Sequence, residues 1–256
     1  MKGWSGLTRG FRSRYYELSA HLDWLPGRVA GVIDWYAFRS FRGGIPFNGQ
    51  FHRLQLVKEI LKCFEFRAIV ETGTNRGLTT TFLHHHSGLP VYTVEASERS
   101  FYFAKQRFRH EDGVFAEFGD SRAFLKRLEK DPRLLDGCVF FYLDAHLPLG
   151  LPHYEQEDLP LYEELEIIAR SWPDPVIMID DFQVRDDPAY GFNDYGIGGG
   201  LTVGYLPAEL KQELRLFWPA VRGEEETGSR RGCVVAGRRG LAAQKLETLP
   251  MLRVMS

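Results

Sequence analysis

Five short apolar runs in this chain each end on a carboxylate or a polar cluster, and a helical stretch separates most of them from the next. Ala68-Ile69-Val70 ends at Glu71, and Val91-Tyr92-Thr93-Val94 ends at Glu95. Gly113 to Phe118 ends at Gly119-Asp120-Ser121, Val139 to Leu143 ends at Asp144, and Pro175 to Ile179 ends at Asp180-Asp181. Helical stretches are expected from Thr79 to His85, Ser100 to His110, Arg122 to Lys130 and Leu159 to Ser171. Ahead of the first run, Phe51, Leu54, Leu56, Val57, Ile60, Leu61 and Phe64 recur at helical spacing. Strands alternating with helices predict a parallel sheet covered on both faces. Ligands of such sheets bind beyond the carboxyl ends of the strands. Glu71, Glu95, Asp120, Asp144, Asp180 and Asp181 are therefore expected to converge on one rim. Unpaired charge at buried strand ends is costly. Helix N-capping by Asp or Ser explains one or two of these acids and is strained for five in succession.

The 256 residues suit one α/β domain with additions, and 44% hydrophobic against 26% charged residues supply a sizeable core. A formal net charge of -2 argues against nucleic acid as the main partner. Residues 1–42 nonetheless hold seven basic residues against three acidic ones. They read as a solvated helical cap over the core or as a contact for an anionic partner. Cys63, Cys138 and Cys233 form no C-x-x-C pair, which speaks against a zinc site or a disulfide framework. Reduced thiols in a cytoplasm fit best. Met1 to Arg14 lacks the apolar core of a signal peptide, and no run has the roughly 18 apolar residues of a membrane span. Leu214 to Phe217 and Cys233 to Ala236, joined by the polar loop Arg222 to Arg231, read as an antiparallel hairpin closing one sheet edge. The expected organisation is a cap or lid over 1–49, a ligand-binding domain over 50–240 and a tail over 241–256.

The segment Glu71-Thr72-Gly73-Thr74-Asn75-Arg76-Gly77 carries the first chemistry. Gly73 permits a tight turn with close backbone approach to a ligand, and Gly77 lets the next helix pack near the sheet. The spacing is G-x-x-x-G, not the G-x-G-x-x-G of dinucleotide binders. A pyrophosphate needs the extra glycine and an open helix N-terminus. S-adenosylmethionine (SAM) has no phosphate, and its amino-acid tail suits an acid beside a glycine turn. The segment resembles the first motif of the class I SAM-dependent methyltransferases. That resemblance covers about residues 50–238. It implies an α/β, Rossmann-like, doubly wound, mostly parallel sheet with an antiparallel C-terminal hairpin and a helical N-terminal cap. It also implies a SAM site built from Glu71, Gly73, Thr74, Asn75, Gly77 and Thr79, then Glu95, Ala96 and Ser97, then Gly119, Asp120 and Ser121, with Asp144. Glu95 would accept the two ribose hydroxyls in charge-assisted hydrogen bonds. Asp120 would accept from the adenine amino group.

Tyr142-Leu143-Asp144-Ala145-His146 and Ile179-Asp180-Asp181-Phe182 supply the second constellation. Three carboxylates near one point repel one another and invite a hard divalent cation. The pattern resembles the metal-dependent O-methyltransferases, the macrolide-sugar branch among them. By that resemblance Asp144, Asp180 and Asp181 hold Mg2+, which would orient and acidify a hydroxyl of the acceptor. The alternative reading has Asp180 and Asp181 as caps and substrate contacts in a metal-free enzyme. The catechol-type branch places a Lys shortly after the first metal Asp, and Ala145-His146-Leu147-Pro148 offers none. His146, with Asp144, is the catalytic candidate, and a plain loop histidine is the equal alternative. Tyr190 and Tyr195 lie in a long Gly- and aromatic-rich loop, expected with Asp181 to touch the substrate. Pro46 to Gln50 reads as a turn and helix cap or as a lid over SAM through Asn48 or Gln50. His84-His85-His86 point in different directions on a helix and are expected at the surface. The reaction expected is methyl transfer from SAM to a hydroxyl oxygen of a small molecule, with homo-oligomerisation left open. A nicotinamide-dependent oxidoreductase, a non-catalytic SAM or nucleoside binder and a metal-dependent hydroxylase are the rivals.

Overall fold

The chain alternates as expected. A computed structural model describes residues 22, 24–37, 42–145, 159–193 and 200–255. The five apolar runs are β1 (Phe66–Thr72), β2 (Val91–Glu95), β3 (Val114–Phe118), β4 (Cys138–Leu143) and β5 (Val176–Asp180), hydrogen-bonded in parallel. The hairpin is β6 (Leu214–Pro219) with β7 (Cys233–Arg238), paired antiparallel. A short β8 (Leu252–Arg253) follows. The sheet order is β3-β2-β1-β4-β5-β7-β6-β8, with β7 antiparallel to β5.

The helices are α1 (Gly27–Ala37), α2 (Phe51–Cys63), α3 (Leu78–Ser87), α4 (Glu98–Arg107), α5 (Ser121–Leu128), α6 (Pro132–Leu135), α7 (Leu161–Ser171), α8 (Ala208–Glu213) and α9 (Leu241–Glu247). Alternate strand residues face opposite layers. Ala68, Val70, Phe141, Leu143, Ile177 and Ile179 pack with Leu125 of α5 and Leu165 and Ile168 of α7. Ile69, Phe140, Tyr142, Val176 and Met178 pack with Leu56 and Ile60 of α2 and Leu246 of α9. Both faces are covered, which is why β4 and β5 read as continuous apolar runs instead of alternating. The edge strand β3 leaves Phe115 and Phe118 exposed.

The stretch expected as a tail carries structure over residues 241–253. Ala242, Ala243, Leu246, Leu249 and Leu252 are buried, and Leu252 pairs with Pro219 of β6. Gly237 admits α9 at close quarters, since a Cβ there would lie 2.8 Å from Leu246 Cδ1. The described part of the cap, α1, packs on α4. Trp35 meets the Phe103 ring edge-on at 5.2 Å, and Asp34 takes a forked pair from Arg99 at 2.7 and 3.0 Å. Residues 1–21 of the cap lie outside the described residues. Among the described residues no helix is long and apolar enough to cross a membrane.

Candidate active site

Strand β1 lies between β2 and β4, so the chain winds away from it in two directions. Such a switch point opens a crevice above the carboxyl ends of the central strands. Gly73 and Asp144 face each other across it. A Cβ on Gly73 would stand 2.5 Å from the Asp144 carbonyl oxygen and 2.7 Å from its carbon. Gly73 also has φ +87, a region that disfavours side chains. Only glycine lets the two loops meet this closely. The Asp144 amide donates to the Thr72 carbonyl at 2.9 Å and completes the junction.

The glycine turn is held from below. The Gly73 and Thr74 amides both donate to the Val94 carbonyl, at 3.0 and 3.1 Å, and the Gly77 amide closes on Thr74 at 2.9 Å. The Thr74 hydroxyl meets that of Thr93 at 2.6 Å. Gly77 serves packing in a way not foreseen. A Cβ there would strike the Phe108 ring at the end of α4, 2.3 Å away.

Glu71 is almost completely buried under this turn. Thr80 and Thr93 hydroxyls donate to its Oε2 at 2.5 and 2.7 Å. Burial pushes its pKa up to about 7, against the two threonines, and the nearby Glu95 charge adds to the rise. Its Oε1 accepts from no described residue. Glu95 receives the Asn75 amide on Oε2 at 2.6 Å and the Ser97 amide on Oε1 at 2.8 Å. Burial raises its pKa, opposed by the amides of Ser97, Asn75 and Ala96. The carboxylate keeps lone-pair capacity for a ligand hydroxyl. Glu95 thus ties the glycine turn to the end of β2.

Other expected SAM contacts have local work instead. Asp120 caps α5, accepting from the amides of Arg122 and Ala123 at 3.0 and 3.1 Å, and grips the Arg122 guanidinium at 2.7 Å. Hydrogen bonding from that guanidinium is the main cause of its lowered pKa. Asp120, the residue expected to meet adenine, is thus the cap of α5. Ser97 caps α4 through Ser100. The Thr79 hydroxyl accepts from the Phe47 amide at 3.3 Å and so faces the 47–49 turn. Ser121 lies buried beside Glu164 of α7, a fully buried acid raised to about 7 by burial. Gly119 has open space around it.

Asp144 is half-buried, and its pKa is raised by burial and then by the Asp181 charge, with Arg53 pulling the other way. Asp180 is fully buried and fully partnered. Arg53 of α2 forms an ion pair with Oδ1, the Asp181 amide donates to Oδ1 at 2.7 Å, and the Tyr142 hydroxyl donates to Oδ2 at 2.6 Å. Asp181 stands at φ +54, and its Oδ1 takes Arg231 Nε at 2.6 Å. Arg231 also donates to Asn193. Among the described residues no three His, Cys, Asp or Glu side chains are placed to hold a metal ion. The expected Mg2+ set of Asp144, Asp180 and Asp181 does not fit: two of its three carboxylates already have guanidinium partners.

Tyr190 is buried, and its hydroxyl donates to the Val221 carbonyl at 3.1 Å and so props the 219–226 loop. Gln50 is buried. Its amide donates to the Arg231 carbonyl at 3.0 Å, and its oxygen receives the Ser229 hydroxyl and the Arg231 amide at 2.8 and 2.6 Å. His84, His85 and His86 part company as expected, toward the Leu89 carbonyl, Glu111 and the Phe82 ring. His146 and Tyr195 lie outside the described residues.

Sequence reading missed Arg53, Arg231, Thr80, Thr93, Tyr142 and Glu164. Arg53 had a visible signal. It falls on the buried stripe Arg53, Leu56, Val57, Ile60 at i, i+3, i+4 and i+7, where a cation demands a buried acid.

No family model matches the sequence, and no curated protein sequence matches it. Among solved structures, an O-methyltransferase from Bacillus cereus in complex with SAH is similar over 85% of this chain and 94% of that one, at 19% identity and a TM-score of 0.48. A SAM-dependent methyltransferase from Aquifex aeolicus covers 78% of this chain and 95% of its own, at 15% identity and a TM-score of 0.45. Both scores fall below one half, and what the crevice can hold rests on the chain's own residues.

Proposed function

We propose that the chain is an enzyme that transfers a methyl group from SAM to a hydroxyl oxygen of a small molecule. The observation that carries this reading is the glycine turn of Gly73 pressed against Asp144, with Glu71 beneath it and Glu95 fastened to its amides. This is a phosphate-free cradle with an acid at each polar end of the donor. Glu71 Oε1 suits the donor's ammonium, and the spare lone pairs on Glu95 suit a ribose diol. When bound, SAM supplies an electrophilic methyl on a sulfonium, displaced in line as the acceptor oxygen bonds to carbon and the sulfur keeps the electron pair.

Asp144 completes the chemistry. It lies against the turn at the switch point, where it would meet the acceptor. In its ionised form Asp144 is suited to receive the hydroxyl proton as the oxygen attacks and to pass it to water. The fixed junction between Gly73 and Asp144 would hold donor and base in one geometry, which is where most of the rate of such a displacement arises. Titration of the purified chain with SAM and with NADH tests the reading. One SAM bound per chain and no NADH is expected, and NADH binding without SAM overturns it.

A further inference from the structure

The network under Asp180 and Asp181 is charge-balanced without a metal. Two carboxylates meet two guanidinium groups, Arg53 and Arg231, drawn from α2 and from the 226–231 loop. The Arg53 and Asp180 side chains are 1% and 0% exposed. Arg53 also donates to the Arg231 carbonyl, which receives Gln50 as well. The loop is secured independently. Glu226 accepts the His52 and Arg53 amides at the start of α2, both at 3.0 Å. The two guanidinium groups are thus built into the frame and are not surface side chains that swing in.

We infer that Arg53 and Arg231 hold the place of a divalent cation, so that methyl transfer in this chain proceeds without a metal. This rests on the methyl-transfer reading above. Three carboxylates at the ends of β4 and β5 need positive charge, and a hard cation needs their oxygens free. Here each Asp180 oxygen already has a partner, Arg53 and the Asp181 amide on Oδ1 and the Tyr142 hydroxyl on Oδ2, so a cation would have to displace or crowd them. Two fixed guanidinium groups also repel any arriving cation. They leave Asp144 as the one acid of the three without a guanidinium bonded to it among the described residues. Arg53 and Arg231 act through the aspartates and are positioning residues. No bond to the acceptor and no change of oxidation state is asked of them.

The experiment has two arms. First, the wild-type chain is stripped with EDTA, and Mn2+ binding is measured by electron paramagnetic resonance alongside methyl transfer and SAM binding. No stoichiometric Mn2+ binding and undiminished transfer are expected. Stoichiometric binding, or transfer lost to EDTA and restored by Mg2+, overturns the inference. Absent SAM binding overturns the methyl-transfer reading instead, so the two failures are distinguishable. Second, Arg53→Met removes the buried cation. Its melting temperature is expected to rise on adding Mn2+ while the wild type stays unmoved, because the exposed charge deficit then recruits a cation. A folded variant indifferent to Mn2+ shows that Arg53 only packs, and it overturns the charge role. The wild-type arm decides alone if the variant does not fold.

Discussion

Replacing Gly73 with alanine tests the crevice most sharply. At φ +87 a side chain carries about 1–2 kcal/mol of left-handed strain. The new Cβ would also stand 2.5 Å from the Asp144 oxygen and 2.7 Å from its carbon, both backbone atoms that cannot rotate away. Such overpacking adds about 1–3 kcal/mol. The strain is relieved only by parting the turn from the Asp144 loop, which pulls the Asn75 amide from Glu95 and misplaces the donor's two anchors. If about 3 kcal/mol comes out of SAM binding, affinity falls by roughly two orders of magnitude. Gly88→Ala is the control. It has φ +70 but no atom within 4 Å of the new Cβ, so it carries only the backbone strain and lies away from the crevice. Calorimetric titration with S-adenosylhomocysteine and urea unfolding of both variants separate binding from stability. Gly73→Ala binding within about threefold of wild type, or Gly88→Ala weakened as much, would refute the reasoning.

Asp144→Asn should lower kcat by about 10²–10⁴ with SAM affinity nearly kept, measured by methyl transfer and calorimetry; an unchanged kcat removes Asp144 as the base. Asp180→Ala leaves Arg53 buried without its partner and should lose about 3–5 kcal/mol in urea unfolding. Glu164 is raised from 4.5 to about 7 in the folded chain, so between these values the folded state holds a proton that the unfolded state has lost. Stability from this group is therefore full below pH about 4.5 and declines as pH rises toward 7, by roughly 2–3 kcal/mol. Glu164→Gln should flatten that slope in unfolding midpoints taken from pH 4.5 to 8, and an unaltered slope counts against it.

The strands were legible because each carries its own signal. Val139 to Leu143 and Pro175 to Ile179 are apolar at every position, as strands buried on both faces must be. Glu71 and Glu95 were legible because a strand end and a turn lie next to each other in sequence. The capping role of Asp120 was not legible in the same pattern. A cap and a ligand contact look alike until the amides of Arg122 and Ala123 are seen to use its oxygens. The state of Asp180 was hidden for a different reason: its partner Arg53 lies 127 positions away, and no local spacing encodes that pairing. The bond from Tyr190 to the Val221 carbonyl was hidden because an aromatic in a Gly-rich loop looks the same whether it faces the cleft or the core. The C-terminal helix α9 was overlooked because its buried face is two alanines and one leucine.

The central claim is that Glu71, Gly73 and Glu95 form a SAM cradle. Titrating wild type and Glu95→Ala with S-adenosylhomocysteine tests it directly. One ligand per wild-type chain is expected, with an affinity about 10- to 100-fold weaker in the variant, the loss of one or two hydrogen bonds to a charged acceptor. No binding to the wild type, or equal affinity in the two proteins, would contradict it.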